Sequence, residues 1–174
     1  MKINILQVII FGFVTFLLLV FLLGLKKDNS YDTTSLIGNK ISDFQLIEIY
    51  DENKLITQEN LKKNKFTLIN FFASWCAPCR VEHKYLLNLS NEKKKIKIIG
   101  INFKDKKNNA IKFLKELENP YDFVGKDING KISVLFGIYG IPESIIVNDD
   151  LTIIKKIVGP IDQTQYNQIL ELIQ

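Results

Sequence analysis

Phe66 to Phe72 reads FTLINFF, and four residues after it ends the chain places Cys76-Ala77-Pro78-Cys79. A short run so rich in apolar residues suits a central strand covered on both faces. The segment from Cys79 to Ser90 has helical character, and Pro78 fits its first turn, where an N–H would lack an intrahelical partner. Ile96 to Asn102 (IKIIGIN) repeats the strand pattern. Ala110, Phe113, Leu114 and Leu117 then recur at helical spacing, as do Tyr166, Ile169, Leu170 and Ile173, the second set opened by an Asp162 to Gln165 capping box. Ser144 to Val147 and Thr152 to Val158 flank Asn148-Asp149-Asp150 as a hairpin. Strand, helix, strand, helix, hairpin and final helix describe a sheet with helices on both faces.

The amino terminus obeys other rules. No charge occurs from Ile3 to Leu25, which as a helix extends roughly 34 Å, enough to cross a bilayer, and Val8 to Leu25 is interrupted only by Gly12, Thr15 and Gly24. A cleaved leader would have a shorter core followed by small residues, whereas this core runs into Gly24-Leu25-Lys26-Lys27-Asp28. The expectation is an uncleaved signal anchor over residues 1–25, a polar tether over 26–36 and one soluble domain over 37–174. Lys2 and the amino terminus roughly balance Lys26 and Lys27, so charge does not choose an orientation. A net charge of +4 with a single Arg and no basic block argues against nucleic acid as a partner. A monomer is expected.

Two Cys cannot build a disulfide framework, so their local pairing needs a chemical reason. At a strand-to-helix junction Cys76 would sit at a helix N-terminus, where unpaired N–H groups favour thiolate, and Cys79 would lie one turn deeper within bridging reach. Cys76 would attack a substrate disulfide and Cys79 would then displace the substrate. Zinc wants four ligands, and beyond the two Cys only His83 is an obvious soft donor, so no metal and no cofactor is expected. An inert bridge across so short a loop would constrain little chain entropy.

Phe71-Phe72-Ala73-Ser74-Trp75-Cys76-Ala77-Pro78-Cys79, followed much later by Tyr139-Gly140-Ile141-Pro142, resembles a thioredoxin fold: a central mixed sheet flanked by helices. Cys79-Arg80-Val81-Glu82-His83, Gly100 to Asp105 (GINFKD), Asn119-Pro120-Tyr121 and Gly137 to Glu143 (GIYGIPE) resemble more narrowly the CcmG/DsbE family, membrane-anchored reductants of cytochrome c maturation. The resemblance runs from about Gly38 to Gly159. It implies a single-pass protein of a bacterial inner membrane with its catalytic domain facing the periplasm. Ser42 stands where Pro is common, and Glu118 where Gly is frequent. Asn70 occupies the position at which cytosolic thioredoxins carry a buried carboxylate, which removes their usual proton acceptor.

Two other acids are candidates to replace it. Glu82 lies one helical turn after Cys79, and Glu143 follows the Pro142 that the fold would place opposite the two thiols. One or both would raise a thiol pKa and relay the proton as Cys79 becomes nucleophilic, a role that the family's acidic groove supports. Pro142 resembles a cis-proline facing the disulfide, which would leave the backbone of Ile141 to pair with an extended substrate. Trp75, Ala77, Pro78, Ile141 and Pro142 are thus the expected substrate contacts. Arg80 reads as a surface cation and His83 as a surface or core imidazole. Asn102, Lys104 and Asp105 match the family without a derivable role.

The resemblance implies as substrate an apocytochrome c disulfide, or one in a dithiol component of haem attachment, and as electron donor a membrane protein of the DsbD/CcdA type. A broader TlpA- or ResA-like reductase is the alternative. A copper-binding holding module fits less well, since such relatives use a longer Cys spacing and a distant His. A peroxidase would use a lone Cys.

Overall fold

The computed structural model describes residues 4–25, 36–62, 64–92 and 95–174. The tether expected over 26–36 therefore lies outside the described residues except for Leu36. The chain divides into two units, Met1–Asp32 and Thr33–Gln174. In the first, α1 (Ile5–Leu25) is a 21-residue helix. Its span Ile5–Gly24 has a mean hydropathy of 2.9, so it is long and apolar enough to cross a membrane.

The second unit is a seven-stranded mixed sheet. Along the chain come β1 (Gln45–Glu48), β2 (Leu55–Thr57), β3 (Phe66–Phe72), α2 (Ala77–Ser90), β4 (Ile96–Phe103) and α3 (Lys107–Glu116). There follow β5 (Phe123–Asp127), the short α4 (Lys131–Leu135), the hairpin β6 (Glu143–Asn148) and β7 (Ile153–Val158), and α5 (Gln163–Leu172). The strand order is β2-β1-β5-β4-β3-β6-β7. β3 pairs parallel with β4 and antiparallel with β6, so one strand at the centre carries neighbours of both senses.

Alternation along β3 builds two cores. Leu68 and Phe72 face a cluster with Leu86 and Leu89 of α2, Phe113 and Leu114 of α3 and Ile169 of α5. Ile69 and Phe71 face Phe44, Leu61, Ile145 and Phe136 on the other side. This double coverage is why FTLINFF shows no polar face: from Thr67 to Phe72 every residue is buried. The sole side chain able to hydrogen-bond on the α2 side of that stretch is Asn70, and it organises the site. The capping box of α5 forms as expected, with Asp162 accepting from Gln165 N and the Gln165 side chain accepting from Asp162 N. β1, β2, β5 and α4 were not anticipated.

Candidate active site

β3 ends at Phe72, and the chain crosses Ala73-Ser74-Trp75 to Cys76, the N-cap of α2. Asp105, in the loop after β4, fastens this crossing: it accepts from Ser74 N at 2.6 Å, from Ser74 Oγ at 2.9 Å and from Asn102 Nδ2 at 3.1 Å. Asn102 and Asp105 thereby acquire a role that the sequence did not reveal. Cys76 and Cys79 form a disulfide, with Sγ atoms 2.03 Å and Cα atoms 5.3 Å apart. The N–H of Cys79 points at Cys76 Sγ, 3.2 Å away. A helix-terminal donor aimed at this sulfur is the arrangement that favours a thiolate once the bridge opens. Ala77 and Pro78 are exposed beside it, and Trp75 is 59% exposed with its indole N–H 3.3 Å from Lys104 O. Trp75 is thus a surface residue rather than a core one.

Glu82 follows Cys79 by one turn and is fully buried. Asn70 Nδ2 donates to Glu82 Oε1 at 2.8 Å, and Ile161 N donates to Oε2 at 2.9 Å. Burial pushes this carboxyl up from its ordinary value of 4.5 to about 7, against the opposing pull of those two donors. The acid missing from β3 therefore arrives from α2 and hydrogen-bonds to the Asn that stands in its place. Asn70 is held from three sides, since it also donates to Ser144 Oγ at 3.0 Å and accepts from Tyr121 O–H at 2.7 Å. Desolvation and the charge of Glu82 hold the Tyr121 phenol well above its ordinary pKa, so it stays a donor. Its ring needs the room left by Gly100, where an added Cβ would come within 2.9 Å of Tyr121 and Phe72.

The second acid is placed differently. Ser144 shares the Asn70 face, so Glu143, its neighbour in the strand, belongs to the opposite face. Glu143 is 1% exposed, accepts from Tyr139 N and Gly140 N, each at 3.0 Å, and pairs with Lys156 Nζ at 3.1 Å. Both of its oxygens are engaged away from Asn70. The Ile141–Pro142 peptide is cis, Pro142 is buried, and Ile141 packs against both cores. Register places this loop beside the crossing to Cys76, because Phe71 of β3 pairs with Glu143.

His83 is 3% exposed and its Nε2 lies 2.8 Å from Glu118 O. A carbonyl only accepts, so Nε2 carries the proton and the buried Nδ1 is the lone-pair nitrogen. Desolvation lowers the His83 pKa, as expected of a neutral core imidazole. Arg80 sits over the Phe113 ring and pairs with Glu116 at 3.3 Å in an exposed setting.

A family model described as Redoxin matches residues 36–171. The thiol:disulfide interchange protein CycY of Rhizobium leguminosarum bv. viciae is 52% identical over 98 residues, covering 56% of this chain and about half (52%) of that relative. The thiol:disulfide interchange protein DsbE of Haemophilus influenzae is 34% identical over 158 residues, covering 88% of this chain and 86% of the other. Among solved structures, the thioredoxin domain of a thiol-disulfide oxidoreductase from Bacteroides vulgatus superposes with a TM-score of 0.69 at 21% identity, over 79% of this chain and 98% of that one. At that identity the likeness speaks for the fold.

Proposed function

Because the chain belongs to the redoxin family, as a thiol:disulfide interchange protein of the DsbE type, we propose that its dithiol form reduces a disulfide in apocytochrome c or in a dithiol component of haem attachment. The observation that carries the reading is the Cys76–Cys79 bridge at the start of α2, with a helix N–H on the first sulfur and a buried acid one turn beyond the second.

The Cys76 thiolate attacks one sulfur of the substrate disulfide. A Cys76–substrate S–S bond forms, the substrate S–S bond breaks, and the departing sulfur takes a proton. Cys79 then loses its proton and attacks Cys76 Sγ. The Cys76–Cys79 bridge forms as the mixed disulfide breaks and frees the second substrate thiol. Two electrons pass to the substrate, and the protein is left in the bridged form seen here. Glu82 serves as the acceptor for the Cys79 proton, since it shares a helix face with Cys79 and titrates near neutrality. Trp75, Ala77 and Pro78 beside the sulfur, with the partly exposed Ile141 across from it, offer the docking surface, and the buried Pro142 backs it. With α1 as anchor, the domain works at the periplasmic face of the inner membrane and is recharged by a DsbD/CcdA-type donor.

The test is trapping in the full chain with Cys79→Ser, which stalls the Cys76 mixed disulfide. Recovery of an apocytochrome or haem-attachment component is the expected result. A broad spread of unrelated proteins would replace the specialised role with a general extracytoplasmic reductase. Stoichiometric copper binding without any covalent partner would overturn both.

A further inference from the structure

Lys156 is a charged residue with a buried side chain that the chemistry above does not use. It stands in β7 opposite Ile145, two residues from the Glu143–Val158 pair, so Lys156 and Glu143 are diagonal neighbours on one face of the hairpin. The side chains of Lys156 and Glu143 are only 0% and 2% exposed. The Lys156 hydrogen bond goes to Gly137 O at 2.6 Å, so its 3.1 Å approach to Glu143 Oε2 acts as an ion pair. The same Nζ lies 5.1 Å from the centroid of the Tyr139 ring. Glu143 Oε1, for its part, accepts the amides of Tyr139 and Gly140. One buried pair thus grips the segment from Gly137 to Gly140 by a carbonyl, two amides and a ring.

Desolvating a Lys and a Glu is a poor way to gain stability, because an apolar pair of similar volume serves as well. What the pair does supply is position. The segment it grips leads into Ile141 and Pro142, and Phe71–Glu143 pairing sets that loop beside the crossing to Cys76. Tyr139, 67% exposed, is the part of it presented outward. We propose that Lys156 is a positioning residue for substrate docking: with Glu143 it fixes the Gly137–Pro142 loop so that Tyr139 and Ile141 meet an extended polypeptide next to Cys76. The inference rests on the interchange function proposed above.

The test compares the full chain with Lys156→Met, Lys156→Arg and the double variant Lys156→Met/Glu143→Gln. Each is assayed for reduction of an extended peptide bearing an internal disulfide, and for the rate at which reduced Cys76 attacks 5,5′-dithiobis(2-nitrobenzoate), a small disulfide that needs no docking. Amide exchange at Tyr139 and Gly140 is followed in parallel. Lys156→Met is expected to raise KM for the peptide at least fivefold and to speed those two amides tenfold, with the small-reagent rate kept within twofold. Lys156→Arg should restore most of the KM. The double variant, which leaves no unpaired charge, should keep the raised KM, since neutrality alone does not rebuild the grip.

An unchanged peptide KM in Lys156→Met, or equal slowing toward peptide and small reagent, would overturn the proposal. If the wild type fails to reduce the peptide at all, the interchange reading fails. The amide exchange then still decides whether Lys156 holds the loop: unchanged exchange in Lys156→Met overturns the grip.

Discussion

The Asn70 amide donates a 2.8 Å hydrogen bond to a Glu82 carboxylate that is itself fully buried beneath α2. An acid held there has a folded-state pKa near 7 against 4.5 ordinarily, so the folded protein keeps a proton that the unfolded chain has lost. Stability contributed by this group is therefore present below about pH 4.5 and falls as pH rises toward 7, by about 3 kcal/mol in all. Denaturant titration of the oxidised protein between pH 4 and 8 should show that decline, and Glu82→Gln should abolish it. A Glu82→Gln curve with the same slope as the wild type across the interval would refute the assignment.

His83 pulls the other way. Its neutral form donates Nε2–H to Glu118 O, and a second proton at Nδ1 would be a buried donor without an acceptor. Its folded pKa is depressed by desolvation, so the unfolded chain takes up the proton first as pH falls below 6.5. Stability due to His83 is complete above that value and is lost toward acid. The two slopes oppose each other in the wild type and separate in the variants: Glu82→Gln should gain stability as pH rises toward 6.5, and His83→Gln should lose it as pH rises toward 7.

Tyr121 and Gly100 make a coupled prediction. Tyr121→Phe removes the donor to Asn70 Oδ1 and leaves a buried amide oxygen unsatisfied, at a cost of about 1–3 kcal/mol. Gly100→Ala pushes a methyl against the same ring, with contacts of 2.9 Å on Tyr121 and Phe72, and costs about 1–3 kcal/mol by overpacking. Since both act on one ring, their costs in the double variant should sum to more than its measured loss. Strict additivity by thermal or denaturant unfolding would show that the network is not shared.

Legibility in the sequence followed the range of the interactions. β3, β4 and the start of α2 announce themselves because apolar runs and Pro78 are local signals, and Cys76 and Cys79 are three residues apart. β5 reads FVGKD, and its Gly125 exists to admit Leu46 of β1, whose atoms an added Cβ would meet at 2.7 Å. That requirement comes from a strand nearly eighty positions away and leaves no periodic trace. β1 and β2 are four and three residues long, too short to alternate visibly. At the site, Glu82 stood out by its spacing from Cys79, whereas Ser144, Tyr121 and Asp105 matter through partners 74, 51 and 31 residues distant. Lys156 follows another Lys in a strand and carries no local sign of burial, because its partners are a carbonyl and a carboxylate in the preceding loop and strand.

Glu118 carries a cost that a single change removes. Its φ is +66°, in the left-handed region that disfavours side chains with a Cβ, and its carbonyl is committed to His83. Glu118→Gly keeps that carbonyl and relieves the strain, offset in part by the larger entropy of Gly in the unfolded chain. The variant should be more stable by up to about 1 kcal/mol, read as a raised denaturation midpoint with an unchanged slope. A lower midpoint would mean that the Glu118 side chain contributes more than its backbone costs.

The two acids near the thiols should separate in the titration of the reduced protein. Glu82 shares the α2 face with Cys79 and changes charge near neutrality, so its ionisation acts on both sulfurs at the helix start. Glu143 is balanced by Lys156 at 3.1 Å and by two backbone donors, so little uncompensated charge reaches the thiols. Thiolate absorbance against pH should place Cys76 below the ordinary cysteine value of about 8.5, because the Cys79 N–H and the α2 terminus favour its anion. Glu82→Gln should lower the Cys76 midpoint further by removing a like charge, and should slow the closing attack by Cys79 for want of a proton acceptor. Glu143→Gln should leave the midpoint in place and weaken peptide docking instead. The reverse pattern, with the midpoint moved by Glu143→Gln and unmoved by Glu82→Gln, would transfer the proton acceptor to the other face of the sheet.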